Sequence, residues 1–294
     1  MPVPPEWQVT IKVVDEAGIP VGGADVQVGY FVTPPKNESN EMTSRQGKTD
    51  TNGLFVATGR SQYMLYCSAR LAGFYQTAVT HELGMVYNKP RHEPWNPTIA
   101  LPLKRIVNPI PMYAKRVNLG MPIFDKPVGF DLEIGDWVAP SGKGVKTDIV
   151  FTGHLAKRAE DDSDWKLVVG FPNAGDGIQT FEKHSLPPGQ GSALRSPQNA
   201  LESGYQTEWV KSNSRRPGEP SVYNLDESLN FFLRVRTILD EKGNVKSAQY
   251  GKIYGDFLDF TYYLNPTPND RNVEFDPNQN LLKKLRSTEQ VAAP

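Results

Sequence analysis

The sequence predicts an all-β protein, with a seven-stranded N-terminal sandwich and a larger C-terminal β domain that carries a long loop insertion. Three observations point there. Apolar and polar residues alternate over short runs, which is the period of a half-buried strand. Gly, Asn, Asp and Pro, the residues that make turns, separate those runs, and 25 glycines and 25 prolines stand in the chain. At 294 residues the chain is long enough for about two domains.

Within the first hundred residues, Trp7 to Val14 sets Val9, Ile11 and Val13 against Gln8, Thr10 and Lys12. Asp15-Glu16-Ala17-Gly18 then supplies a turn, and Ala24 to Val32 reads as the next strand. Residues 33–47 are polar and led by prolines, so an exposed loop is expected there. Thr49-Asp50-Thr51-Asn52-Gly53 is a second tight turn, opening a strand at Leu54-Phe55-Val56. Tyr63 to Ala69, Phe74 to Thr80 and Thr98 to Leu103 complete about seven strands at the short spacing of a sandwich.

These residues carry a resemblance. Val13 to Val21 through Ala24-Asp25-Val26, then Thr49 to Phe55, then Ala72-Gly73-Phe74-Tyr75, is similar to a carboxypeptidase regulatory-like domain over residues 6–104. The resemblance implies a transthyretin-like, immunoglobulin-like sandwich, usually a non-catalytic appendage of secreted or envelope proteins. It implies an extracellular or cell-envelope location. Met1 to Glu6 has neither a basic nor an apolar leader region, so a native start at Met1 would instead mean the cytoplasm.

Residues 104–112, spaced by Pro109 and Pro111, read as the boundary to a second domain over 112–282. Strand-like runs follow at Val128 to Ile134, Asp148 to Leu155, Trp165 to Phe171, Asn230 to Leu239, Val245 to Tyr254 and Phe257 to Leu264. An acidic loop at 156–164 and Asp240-Glu241-Lys242-Gly243-Asn244 close two hairpins. Between 176 and 228 apolar density falls, giving an excursion from the sheet with one short helix capped by Ser196 and closed by Gly204. Residues 283–294 read as a tail, frayed from Ser287 onward. This second segment, around Trp137 and Tyr262-Tyr263, resembles uncharacterised secreted proteins of planctomycete and verrucomicrobial type, a likeness that implies no activity.

Charge and composition narrow the function. Lys and Arg total 32 against 33 Asp and Glu, a net charge of -1, whereas nucleic-acid-binding domains are basic. There is neither a polybasic stretch for an anionic membrane nor an apolar run of about 18 residues that would insert into one. Cys67 is the single cysteine, so disulfides within the chain and Cys-rich zinc sites are excluded. His81, His92, His154 and His184 are dispersed, without metal-ligand spacing. No Gly-x-Ser-x-Gly elbow occurs.

Three polar motifs need weighing. Gly47-Lys48-Thr49 ends like a phosphate loop, but Met42 stands where the first glycine belongs. Ser141-Gly142-Lys143-Gly144 reads as a hairpin loop. Asp270, Asn272, Glu274 and Asp276 place oxygen ligands at alternate positions, as calcium prefers, so calcium is the one ion the sequence suggests and no other cofactor is expected. Phe275 and Leu281 stand where an EF-hand-type loop wants Gly and Glu, and an edge strand with Val273 and Phe275 inward and the acids outward accounts for the string with no ion.

Aromatics supply the binding candidates. Trp7 and Trp165 open strands and read as core. Trp209 sits in the polar excursion with Tyr205, Arg215 and Arg216, and these four form the candidate binding set. Trp209 equally suits a pin that holds the excursion to the sheet. The expected function is that of a non-catalytic binding or accessory protein whose partner is a glycan or an envelope protein. A self-assembling structural subunit and a carbohydrate-active hydrolase with paired carboxylates are the alternatives.

Overall fold

The computed structural model describes residues 4–32, 40–84, 89–182, 190–224 and 229–294, and in them the chain is all-β, with no α-helix. In chain order the strands are β1 (Glu6–Asp15), β2 (Asp25–Val32), β3 (Glu41–Lys48), β4 (Leu54–Arg60) and β5 (Met64–Arg70). Next come β6 (Thr77–Glu82), β7 (Thr98–Leu103), β8 (Ile110–Asn118), β9 (Val128–Asp131) and β10 (Asp136–Trp137). Then follow β11 (Ile149–Lys157), β12 (Ser163–Gly170), β13 (Gly177–Glu182), β14 (Gly191–Ser192) and β15 (Glu208–Arg215). The last are β16 (Val222–Asn224), β17 (Leu229–Leu239), β18 (Val245–Gly255), β19 (Asp259–Leu264) and β20 (Phe275–Asn280). The chain forms two compact units, Met1–Val107 with Leu186–Arg195, and Asn108–Ser185 with Ser196–Pro294.

In the first unit a sheet ordered β4-β1-β7 and another ordered β14-β6-β5-β2-β3 supply one core. The alternation read from the sequence is the alternation of burial. Trp7, Val9, Ile11 and Val13 of β1 are buried and pack with Val26, Val28 and Tyr30 of β2, with Leu65 and Cys67 of β5, and with Leu101 of β7. Burial pushes the Cys67 thiol up to about 12, which makes it an inert small hydrophobe. The expected loop at 33–47 is corrected in its described part, because Glu41–Lys48 is the strand β3, paired with β2 along its length. As a sheet edge it buries little, so it lacks an apolar period.

Gly47 and Thr49 have roles other than phosphate binding. The Phe55 ring lies 2.3 Å from where a Gly47 Cβ would stand. The buried Thr49 hydroxyl donates to Val21 O at 2.7 Å and accepts from Ala24 N at 2.9 Å.

The second unit has sheets ordered β10-β9-β11-β12-β15-β16 and β13-β17-β18-β19-β8-β20. Phe130, Phe151, Leu167, Val169 and Trp209 of the first pack with Phe231, Leu233, Ile253 and Phe260 of the second. The second sheet is also covered on its far face, by a cluster of Phe232, Ala248, Tyr250 and Val273 and another of Met112, Ala114, Tyr263 and Phe275. Strand β18 is therefore continuously buried through its middle instead of alternating.

Three expectations are corrected here. The 176–228 excursion contributes β13, β14, β15 and β16 instead of a loop. No helix spans 196–204, because the backbone there pairs with a neighbouring segment: Ala200 N donates to Arg271 O and Val273 N to Gln198 O, both at 2.8 Å. The tail is not frayed, since Val291 packs on the Met112 cluster and the Tyr263 hydroxyl donates to Ala293 O at 3.1 Å.

Candidate functional site

The second unit holds a cleft of about 590 Å³. One wall is the short strand β10, with Gly135, Asp136 and Trp137; the opposite wall is Lys115 to Asn118 of β8; Arg286, Thr288 and Glu289 line it as well. Phe130 is among the lining residues, and the half-buried Trp137 ring meets Phe130 at 5.4 Å and Phe151 at 5.5 Å, both edge-on. Trp137 is thus held by core aromatics while part of it stays open to the cleft.

A buried charge network sets the loop that carries Trp137. Asp131 accepts from the backbone N–H groups of Glu133, Ile134, Val145 and Lys146 at 2.9–3.2 Å, tying both ends of the loop together. A bulge in β17 puts Arg236 at φ 57°. Its guanidinium forks onto Asp148 at 2.7 and 2.9 Å and reaches Glu133 at 2.5 Å and Asp131 at 3.3 Å. Burial pushes the Asp148 carboxyl up despite Arg236; in Asp131 burial is outweighed by the four amides, and its carboxyl is lowered. The Tyr262 hydroxyl donates to Leu132 O at 2.8 Å and fastens the same loop to the other sheet. Ser141 to Gly144 folds back on β10, with Lys143 N donating to Asp136 at 3.0 Å and Gly144 N to Trp137 O at 2.8 Å.

Charges of both signs surround the cleft. Lys115 Nζ donates to Gly135 O at 2.7 Å and pairs with Glu289 at 3.1 Å. Arg286 meets Glu289 at 2.7 Å. Arg286 first and Lys115 after it hold the Glu289 carboxyl at about 2. Arg116 pairs with Asp259 at 2.9 Å, and Asn118 and Thr288 add neutral polar side chains.

None of the four aromatic and basic residues singled out in the sequence lines this cleft. Trp209 is 5 % exposed and packs on Phe257 at 5.3 Å, so the binding role expected of it is corrected to the pinning one. Tyr205 is half-buried under the Arg234 guanidinium at 4.5 Å, donates to Leu201 O at 2.8 Å, and has its phenol pushed up by burial. Arg216 is tied to Asp164 at 3.0 Å and to Asp162 at 3.5 Å, beside Arg158. Arg215 is exposed, and after Ser221 it helps to lower the Tyr223 phenol below its ordinary value.

The calcium string is bound up in protein contacts. Asp270 accepts from Asn272 N at 3.0 Å and from the Asn265 amide at 3.0 Å. Asn272 accepts from Glu274 N at 2.8 Å, Glu274 from Asn108 N at 2.7 Å, and Asp276 from Asn278 N at 2.9 Å. The outward placing of the acids is also corrected: Glu274 is 1 % exposed, and its charge favours that of the buried Lys252. Among the described residues no group of three or more His, Cys, Asp or Glu is placed to hold a metal ion. His92 points at two backbone carbonyls, Gly84 O at 2.9 Å and Ser61 O at 2.7 Å.

Trp137 entered the sequence reading only through the likeness of its neighbourhood to secreted proteins and was not named as a binding candidate. The readable signal was an aromatic between turn formers, Gly135-Asp136 before it and Pro140-Ser141-Gly142 after it.

No protein-family model matches the chain, nor does any curated protein. Among solved structures it is similar to a streptococcal ancillary pilin at 11% identity, covering 89% of this chain and 59% of that one, with a TM-score of 0.24. It is also similar to a candidate carbohydrate-binding protein from Bacteroides uniformis at 10% identity, covering 90% of this chain and 99% of that one, with a TM-score of 0.20. The chain thus spans less than two thirds of the pilin's length. Likenesses this distant carry no argument about activity. No helix of the described residues is long and apolar enough to cross a membrane.

Proposed function

We propose that this is a non-catalytic binding or accessory protein of the extracellular space or cell envelope, and that its ligand is a glycan seated against Trp137. The observation that carries the reading is the cleft itself: an aromatic ring fixed by the core, open on one side, and ringed by donors and acceptors of both signs. A sugar offers an apolar face to such a ring and hydroxyls to its rim. The resemblance of residues 6–104 to carboxypeptidase regulatory-like modules supports the location and the accessory role. Both carboxylates of the cleft are engaged as acceptors. Asp136 receives Trp137 N and Lys143 N, and Glu289, held at about 2, has no proton to give a leaving group at neutral pH.

The test is retention of the purified protein on a panel of insoluble and immobilised polysaccharides, with product analysis of the supernatants. We expect retention without released sugars. Trp137→Ala should weaken it about tenfold, the worth of roughly 1.4 kcal/mol of ring contact, and Trp137→Phe should restore part of it. Released oligosaccharides would make the protein a hydrolase. Retention that Trp137→Ala leaves unchanged would move the ligand elsewhere.

Self-association is the second reading, favoured by the edge strand β16, where Val222 and Tyr223 are 69% and 51% exposed. A mass that rises with concentration and falls in Val222→Lys would support it.

A further inference from the structure

The first unit carries a groove of about 530 Å³, separate from the Trp137 cleft and lined by Glu6, Trp7, Arg45, Thr58, Arg60 and Trp95 among others. Its rim is firmly held. Glu6 N donates to Pro90 O and His92 N to Glu6 O, both at 2.8 Å, and the buried His92 ring is fixed between two carbonyls. Asn96 accepts from the Thr10 hydroxyl at 2.8 Å and Thr10 N donates to Pro97 O at 3.0 Å, so the segment presenting Trp95 is laced to β1 on both sides.

Trp95 is 40 % exposed, with the Arg91 guanidinium 4.8 Å from its ring centroid. Among the described residues the one carboxylate lining the groove, Glu6, is spent on neighbours: Oε1 on Arg60 at 2.5 Å and Oε2 toward Arg91 at 3.6 Å. Arg45 differs. Its Nε donates to Thr58 O at 3.0 Å, and it has no carboxylate within ion-pair distance among the described residues. Its two terminal nitrogens are left for a ligand, in the fork geometry that suits a carboxylate.

We infer that this groove is a second binding site, selective for an acidic polysaccharide, in which a uronic-acid ring lies against Trp95 and its carboxylate meets Arg45. The inference stands apart from the Trp137 reading, since it uses no residue of that cleft.

The experiment is affinity electrophoresis of the full chain through gels containing polygalacturonate, with fully methyl-esterified polygalacturonate as the uncharged control on the same backbone. The wild type should be retarded by the acid polymer and much less by the ester, with retardation falling as salt rises. Arg45→Gln should weaken retardation about tenfold, the loss of one charge-assisted contact, and Arg45→Lys should keep part of it. Trp95→Ala should weaken it as well. Both side chains are exposed, so melting temperatures should stay at the wild-type value. Trp137→Ala should bind the acid polymer as the wild type does. Absence of retardation, equal retardation by acid and ester, or undiminished binding by Arg45→Gln would each overturn the site. Loss with Trp137→Ala alone would assign the acid polymer to the cleft instead.

Discussion

Lys252 stands fully buried on β18 with its ammonium 3.4 Å from Ser196 Oγ and 4.7 and 5.0 Å from the ring centroids of Tyr263 and Tyr254. Burial drives its pKa well below the ordinary lysine value, and Glu274 opposes that shift only in part. In the window between the folded and the unfolded pKa the unfolded chain binds more protons, so this residue's contribution to stability improves as pH rises toward about 10.4. Lys252→Met removes that dependence. The stability of the wild type relative to Lys252→Met, from urea unfolding at pH 7 and pH 10, should climb with pH by at least about 1 kcal/mol, roughly one pH unit's worth for one proton. A difference that is flat across those pH values would refute the argument. None of this was legible beforehand. Lys252 lies in a run that reads as a strand, and its inward direction follows from the segment around Val273, which packs on Ala248 and Tyr250 of the same strand. Trp209 was legible only as two equal readings, a contact residue or a pin, and its register opposite Val169 decides for the core.

Three turns show what is legible at the scale of an element. Asp15, Asp50 and Asp240 each accept with Oδ1 from the backbone N–H two and four residues on, at 2.8–3.0 Å, and each turn places a glycine at positive φ three residues later. Short-range chemistry of this kind is written in the sequence, and so were the turns. Strands β3, β13 and β15 were not, because two of them have little apolar period of their own and all three owe their existence to partners far along the chain. The same three turns yield a prediction. A Cβ at Gly18 or Gly243 meets nothing within 4 Å, whereas at Gly53 it would stand 2.4 Å from Val13 O. Alanine at Gly18 or Gly243 should cost about 1–2 kcal/mol for the left-handed backbone alone. Gly53→Ala should cost about 1–3 kcal/mol more, since backbone must move to admit the methyl group. Equal midpoints in urea for Gly18→Ala and Gly53→Ala, which lie in the same unit, would show that the Asp50 turn gives way without cost.

For the whole molecule, the decisive feature is that its cores do not share residues. The cluster around Trp7, Leu65 and Leu101 lies wholly in the first unit, and the clusters around Phe151, Phe232 and Tyr263 lie wholly in the second. Composition and strand spacing announced two bodies. What they could not announce was that Leu186–Arg195, far along the chain, belongs to the first unit, where β14 adds to the edge of β6. Two residues of pairing carry no period, and their place is fixed by the sheet they join. Separate cores predict separate transitions in calorimetry. Leu65→Ala and Leu233→Ala each empty a fully buried site, one in each unit, and should cost about 2–5 kcal/mol. Leu65→Ala should lower one transition by roughly 10 °C and leave the other in place, and Leu233→Ala should do the converse. If each variant lowers a single shared transition, the units unfold as one cooperative body and their division is geometric only. If each moves its own, the Trp137 cleft and the Arg45 groove rest on independently stable scaffolds. A substitution that weakens one site would then leave the other as a control within the same molecule.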